Sequence, residues 1–386
     1  MPLLWHNRAR TMTKALCIFT TLLGNKSTTE RLIEIFNRLE GVETTYVLLE
    51  REDFRRFAAP RWARATDAWE SQYVARQKVK AAAVGPFDIL LVQTWEFVTA
   101  FQSLAKRVPA AVLVDSIPAT MDAQLRQRGQ GGWKRTLASQ VHDIPFARAV
   151  RNFEYFLPMG SDCAHSLHTR YGVPQDRCEI TLAPQDLEFW KPAAKREALP
   201  RQGSNSLRLL FVGNDFERKG GEILLRMYRS HLAEFCSLTI VSNDPCLENT
   251  ILPEGVTWRK GMNREGVLDL CRQSDLFVFP TQQDYMPQVL AEALAAGVPC
   301  IASDVGGIKD LVIDGRTGYL MAREAPMEAW VRRIRELASN APKLDELSRG
   351  ARSFAEQNLG MDRFRTLVAK VAGRLIAKAS GSGDSR

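Results

Sequence analysis

The pattern that most constrains this chain is an alternation that runs through it twice. Short apolar runs sized for single strands are each followed by a stretch of helical periodicity. Such alternation is what β-α units around parallel sheets produce. In the first half it predicts strands at Ala15–Thr20, Thr44–Leu49, Ile89–Gln93, Ala111–Asp115 and about Tyr155–Met159. The second half restarts it, with strands expected at Leu207–Gly213, Ser237–Ser242, Leu276–Pro280 and Val298–Ala302 and helices at about Gly221–Leu232 and Gln288–Ala296. Residues 191–206, KPAAKREALPRQGSNS, are rich in Pro, Ala, Gly and charge and read as an interdomain linker. Phe364, Leu367, Val368, Val371 and Leu375 recur at helical spacing and predict an amphipathic helix with a face to bury. The expected organisation is therefore one α/β domain over 1–190, the linker, a second α/β domain over 207–358, a C-terminal helix over 359–379 and a disordered tail over 380–386.

At 386 residues and 45% hydrophobic, the chain has material for two or three domains, each with its own core. Its seven cysteines are odd in number, scattered and never C-x-x-C, which disfavours a disulfide framework or a zinc site and suits a cytoplasmic setting. The five histidines form no H-E-x-x-H, so no metal site is expected. No apolar run approaches the ~18–20 residues of a spanning helix. Residues 1–24 imitate a signal peptide, with Arg8, Arg10 and Lys14 ahead of Ala15–Leu23, but no A-x-A-like cleavage site follows. Ser27 and Glu30 have capping-box spacing, so a first strand and then a helix Glu30–Leu39 is the preferred reading. The net charge of +8 points to acidic partners.

Two constellations carry chemistry. Where the strand Leu207–Gly213 ends, the chain reads Phe211-Val-Gly-Asn-Asp-Phe-Glu-Arg-Lys-Gly-Gly221. Arg218 and Lys219 stand before a Gly-Gly that leads into a helix, at the sheet edge where open α/β folds bind ligands. A guanidinium grips phosphate oxygens bidentately and an ammonium adds a point charge, so the pair suits a diphosphate. A solvated basic turn is the bland alternative. The second constellation spans Phe279 to Pro299. Pro287 suits the first turn of a helix whose unpaired N–H groups, around Gln288 and Val289, would form an anion site. Gln288 and Glu292 share a face one turn apart, and Asp284 lies in the loop before the helix. Taken singly, Glu292 reads as a surface glutamate and Asp284 as a turn or cap residue.

Together with further segments these stretches are similar to a known family. Met159-Gly-Ser-Asp-Cys-Ala-His-Ser-Leu167 and Tyr171-Gly-Val-Pro174 come first, followed by Ala183-Pro-Gln-Asp-Leu-Glu-Phe-Trp-Lys-Pro192. The Arg-Lys-Gly-Gly turn, Asp284 to Pro299, Asp304-Val-Gly-Gly307 and Asp314-Gly-Arg-Thr-Gly-Tyr-Leu320 then occur in family order. From about Tyr155 to Leu320 the chain resembles the retaining glycosyltransferases of family 4, in which two Rossmann-like domains face a cleft in the GT-B arrangement.

The resemblance implies that Arg218 and Lys219 hold the diphosphate of a nucleotide-sugar donor, with Gly213 at the strand end. It implies two carboxylates separated by seven residues, one on the donor sugar and one on the ribose. Here these are Asp284, where the family has a longer glutamate, and Glu292. Asn214 stands where many members have Arg, which leaves Arg218 the guanidinium function. Val114-Asp-Ser-Ile-Pro118 resembles a first-domain segment facing the cleft; Asp115 either orients the acceptor or a donor hydroxyl, or caps the next helix. Gly24, in Thr20-Thr-Leu-Leu-Gly-Asn25, takes the place of a glycine-rich loop near the donor phosphates. The implied reaction retains configuration and requires neither metal nor cofactor, the nucleoside-diphosphate sugar being a substrate.

Two segments point to the acceptor side. Residues 51–80 hold eight Lys/Arg and four Asp/Glu among Phe54, Phe57, Trp62, Trp69 and Tyr73, and residues 123–151 hold six Lys/Arg and one acidic residue. Basic residues beside aromatics suit an anionic bilayer or a phosphorylated, lipid-linked acceptor, against the plainer reading of a solvated face over core aromatics. The expected partners are a nucleotide-sugar donor and a glycan or lipid-linked acceptor, with an anionic membrane surface as a further candidate. No zinc finger, RNP motif or isolated basic helix supports nucleic acid. The alternative function is a non-catalytic sugar-nucleotide-binding or scaffold protein on the same fold.

Overall fold

A computed structural model describes residues 12–22, 26–61, 63–127, 133–192 and 207–381, with side chains of 124–127 and 133–140 excepted. The first sheet contains β1 (Thr13–Thr20), β2 (Val42–Leu49), β3 (Ile89–Gln93), β4 (Ala110–Val114) and β5 (Tyr155–Pro158), in the order β2-β1-β3-β4-β5. The second contains β6 (Leu207–Val212), β7 (Cys236–Val241), β8 (Val256–Arg259), β9 (Leu276–Phe279), β10 (Cys300–Ser303) and β11 (Gly318–Met321), in the order β11-β10-β9-β6-β7-β8. Every pairing is parallel.

Parallel strands are covered by helices on both faces, which explains why Ile89–Gln93 and Leu276–Phe279 are buried along their whole length and read as unbroken apolar runs. In both sheets the strand order reverses beside the first strand, between β1 and β3 and between β6 and β9. Loops leaving neighbouring strands part at such a point and open a crevice at their carboxyl ends.

The structure corrects several local expectations. Strands β8 and β11 join the four anticipated in the second half. Each has four residues at a sheet edge, and the partly exposed Val256–Arg259 lacks the apolar density of a central strand. The first helix already includes Lys26, so Ser27 and Glu30 lie within it and form no capping box at its start. Helix Gly221–Met227 gives way at Tyr228–Leu232 to a π-helical turn. There the Tyr228 hydroxyl donates to the Cys236 carbonyl at 2.9 Å.

The C-terminal helix, Met361–Gly381, takes in Ser380 and Gly381, which the sequence reading assigns to the tail; 382–386, like most of the 191–206 stretch, lie outside the described residues. It buries Phe364, Val368, Val371 and Leu375 while Leu367 is half-buried, and it packs on the first domain. Arg365 pairs with Glu34 at 3.1 Å, Lys370 with Glu179 at 2.5 Å and Lys378 with Glu154 at 2.6 Å. The chain thus crosses between domains twice, near 184–192 and near 359–361. Gln185, fully buried, joins the crossings by donating its N–H to the Leu359 carbonyl at 2.6 Å.

Candidate active site

The loops after β6 and β9 meet at the second domain's switch point, and glycines set how closely. A Cβ on Gly220, whose φ is +80°, would fall 1.9 Å from the Pro280 carbonyl oxygen. Only glycine allows that approach, which accounts for the first glycine of the Arg-Lys-Gly-Gly turn. Gln282 then donates its N–H to the Arg218 carbonyl at 2.9 Å. A Cβ on Gly213 would sit 2.8 Å from Lys219 Cδ, so this glycine leaves room for the lysine stem.

This pairing of loops brings Arg218, Lys219 and Asp284 together. Lys219 Nζ donates to Asp284 Oδ2 at 2.8 Å and lies 5.3 Å from the centre of the Phe279 ring. Arg218 donates from Nε to Asp215 at 2.5 Å and from Nη1 to the Gln283 carbonyl at 2.6 Å, with Asp284 Oδ2 at 3.9 Å. Asp284 accordingly sits against both cations. Asn214 is exposed and accepts the Asn243 N–H at 2.9 Å, tying down the loop after β7.

Helix Gln288–Ala295 follows this loop. Pro287 is its N-cap residue, in extended conformation, and so stands one position before the first turn where the sequence placed it. Val289 is half-buried, whereas Leu290, Ala293 and Leu294 are fully buried. Gln288 accepts from the Gln185 side-chain amide at 3.1 Å. Burial raises the pKa of Glu292 above the usual carboxylate range, against the opposing pull of the guanidinium groups of Arg264 and Arg31. Arg31 comes from the first domain, where it donates to the Pro184 carbonyl, and burial lowers its own pKa to about 10.

The first domain contributes carboxylates. Asp115 directly follows β4 and accepts from the Ser116 hydroxyl at 3.2 Å. The next helix, Pro118–Gln127, is started by other groups: the Ile117 N–H reaches Thr120 Oγ1 at 2.9 Å and the Ala119 N–H reaches the Tyr171 hydroxyl at 3.1 Å. Burial raises the pKa of Asp115, and the charge of Asp284 adds to the rise. Glu96 lies three residues past β3, in the first turn of the helix Trp95–Ala100, and is raised to about 7, first by burial and in smaller part by Asp115. Beside it Thr94 holds a φ of +69°, a left-handed value that costs a threonine roughly 1–3 kcal/mol and is typical of functional loops. Gly24 lies outside the described residues.

The structure brings together Arg218, Lys219 and Asp284, which the sequence reading set in two separate constellations. The sequence reading missed Arg31, Gln185 and Glu96. Asp115 was singled out through the family-like segment Val114-Asp-Ser-Ile-Pro118, and Glu96 has no such segment around it. Arg31 carries no local signature, whereas Gln185 lies in the family-like segment Ala183–Pro192 but was given no role there. Among the described residues no group of three or more His, Cys, Asp or Glu side chains is arranged to hold a metal ion.

The basic stretches meet in space through the Trp69 and His142 rings, 5.9 Å apart, and the Trp95 ring packs against His142 at 5.4 Å. Phe54, Phe57 and Tyr73 pack against the first core. Arg51, Arg55, Arg56 and Arg64 are exposed, as are Val141 and Ile144. Among the described residues no helix is long and apolar enough to cross a membrane.

Residues 206–340 match the family model of glycosyl transferases group 1. A D-inositol 3-phosphate glycosyltransferase of Paenarthrobacter aurescens is 26% identical over 208 residues, 50% of this chain and 51% of the relative. Spore coat protein SA of Bacillus subtilis is 25% identical over 222 residues, 51% of this chain and 59% of the relative. The chain thus spans about half the length of the curated relatives it matches. Among solved structures, sucrose-phosphate synthase from Thermosynechococcus elongatus superposes with a TM-score of 0.76 at 15% identity, covering 95% of this chain and all of that one. Anabaena Alr3699/HepE in complex with UDP-glucose superposes with a TM-score of 0.68 at 14% identity, covering 94% of this chain and 99% of that one. Residues 206–340 are thus similar to the glycosyl transferases of group 1, and the two parallel-sheet domains share the GT-B fold of the solved neighbours.

Proposed function

We propose that the chain is a retaining glycosyltransferase that moves a sugar from a nucleoside-diphosphate sugar to a glycan or lipid-linked acceptor. One observation carries this reading: two cations and a carboxylate converge where the strand order reverses, beside the start of a helix whose first N–H groups have no intrahelical acceptor. The UDP-glucose bound by the HepE neighbour makes UDP-sugars the first donors to test.

A nucleoside-diphosphate sugar carries its own leaving group. Catalysis then consists of stabilising the negative charge that grows on the diphosphate as the glycosidic bond breaks. Arg218 and Lys219 supply that stabilisation, helped by the dipole of the 288–295 helix. In this structure Asp284 occupies both cations, and the donor diphosphate takes its place on them and frees the carboxylate for the sugar. Glu292, between Arg31 and Arg264, accepts from the ribose. The acceptor hydroxyl attacks from the face the diphosphate leaves, which retains configuration, and the two cations do the work for which other transferases use a metal. The exposed arginines of 51–80, together with the exposed Val141 and Ile144, suit a peripheral contact with an anionic membrane at the cytoplasmic face.

A thermal-shift screen against nucleoside diphosphates and their sugars tests the donor, followed by assays of diphosphate release and of product anomeric configuration. Stabilisation by one diphosphate class and a product of retained configuration are expected. Binding without turnover across an acceptor panel would refute the transferase reading.

A further inference from the structure

A cavity of about 340 Å³ lies at the carboxyl ends of β9, β10 and β11 in the second domain. Gln282 lines it from the loop after β9, Ser303 from the last position of β10, Arg323 and Glu324 from the turn after β11, and Met327 and Trp330 from the helix Met327–Ala338. None of Arg218, Lys219, Asp284, Gln288 and Glu292 lines it, so it is separate from the donor crevice, although Asp284 lies two residues beyond Gln282 in the same loop.

Hydrogen-bond donors without partners converge on this space. Ser303 is only 4% exposed, and among the described residues its hydroxyl has no hydrogen-bond partner. A polar group so deeply buried ordinarily has one, which leaves this hydroxyl to whatever fills the cavity. Arg323 and Gln282 are half-buried, and among the described residues neither side chain makes a hydrogen bond or an ion pair. The 12-residue helix begins after Pro326, which offers no side-chain cap, and the Ala329 N–H turns back to the Pro326 carbonyl at 2.9 Å. The N–H groups of Met327 and Glu328 then have no acceptor among the described residues, at the positive end of the helix dipole. A guanidinium fork, a hydroxyl, an amide and a helix N-terminus together make a donor set for a tetrahedral oxyanion. Glu324 is exposed and its carboxylate only accepts, which suits a hydroxyl on the organic part of such a ligand.

We infer that this cavity is a second anion site of the chain, which takes a small hydroxylated phosphate monoester and holds its phosphate on Arg323, Ser303 and the start of the helix Met327–Ala338. The site stands whether or not the donor crevice binds a nucleotide sugar, because the two share no lining residue named above.

Ligand-observed NMR on the full-length chain, in phosphate-free buffer, tests this with glycerol 3-phosphate as the probe and glycerol as its neutral counterpart. The ester should bind saturably and at least about tenfold more tightly than glycerol, a difference of ~1.4 kcal/mol. Arg323→Ala should weaken the ester at least about tenfold, Arg323→Lys, which returns a cation without the fork, should restore part of the loss, and Ser303→Ala should weaken it about threefold. An Arg218→Ala/Lys219→Ala double variant, which lacks the donor cations, should bind the ester as the wild type does. Thermal unfolding of each variant at the wild-type temperature shows that a loss is local. An ester that fails to bind, binds no better than glycerol, or keeps its wild-type affinity in Arg323→Ala or in Ser303→Ala overturns the site. An ester lost with the donor cations overturns it too, since the ester then sits in the donor crevice.

Discussion

At the end of β6 two cations meet a carboxylate within one pair of loops, whereas at the ends of β3 and β4 the charged groups are the carboxylates Glu96 and Asp115. Both sheets reverse strand order next to these loops, so backbone topology offers a crevice in each domain. What differs is the chemistry set into it. The second domain sets two cations against Asp284, and the first sets Asp115 and Glu96 past its strand ends. On the proposed function the cation side is where the donor diphosphate binds.

The sharpest way to break this contrast is to remove the cations. Arg218→Ala and Lys219→Ala should each cost ~2–4 kcal/mol of transition-state stabilisation, roughly a 30- to 1,000-fold loss of turnover, with donor affinity falling less. Diphosphate release under donor saturation measures it; a variant with full turnover would dissolve the distinction between the two crevices.

Asp284→Asn removes the charge that sits on Lys219 at 2.8 Å in the free protein. Turnover should fall roughly 10- to 100-fold, as for loss of a charged hydrogen bond of ~1.5–3 kcal/mol, while the nucleoside diphosphate binds as well as before or better. Parallel losses in both would mean that Asp284 only shapes the loop. For Glu292→Gln, calorimetric titration should show donor affinity weaker by about tenfold, ~1.4 kcal/mol. An unchanged titration would remove the ribose contact.

On the carboxylate side the sharpening experiment is a pH series. Glu96 is raised from 4.5 to about 7, so the folded state holds its proton more tightly than the unfolded chain. The stability this proton gives is fully present below the unfolded value and is lost as pH rises through about 7. Glu96→Gln should match the wild type near pH 4 and gain a few degrees of relative Tm at pH 8. Parallel Tm curves across that range would show that Glu96 carries no such burden.

These two regions also differed in how far the sequence disclosed them. The cations, Gly220 and the helix carrying Glu292 are each part of one continuous loop-helix segment, so spacing along the chain maps directly onto proximity. Asp115 was visible through the continuous segment Val114-Asp-Ser-Ile-Pro118, which resembles a family motif. Arg31 and Gln185 act through contacts more than 100 residues away in sequence, Arg31 with Pro184 and Gln185 with Gln288, and no local pattern encodes such a meeting. The amphipathic periodicity of Met361–Gly381 announced a buried face but not that the face lies on the other domain. Edge strands β8 and β11 were missed because a strand with one neighbour and partial exposure has no need of the unbroken apolar run that marks a central one.

A crystal structure of the chain with bound UDP tests the central claim most directly. The account predicts the diphosphate in the crevice between the β6 and β9 loops, its oxygens on Arg218 and Lys219, with Asp284 withdrawn from Lys219. A diphosphate bound elsewhere, or one that leaves the Lys219–Asp284 pair intact and touches neither cation, would contradict it.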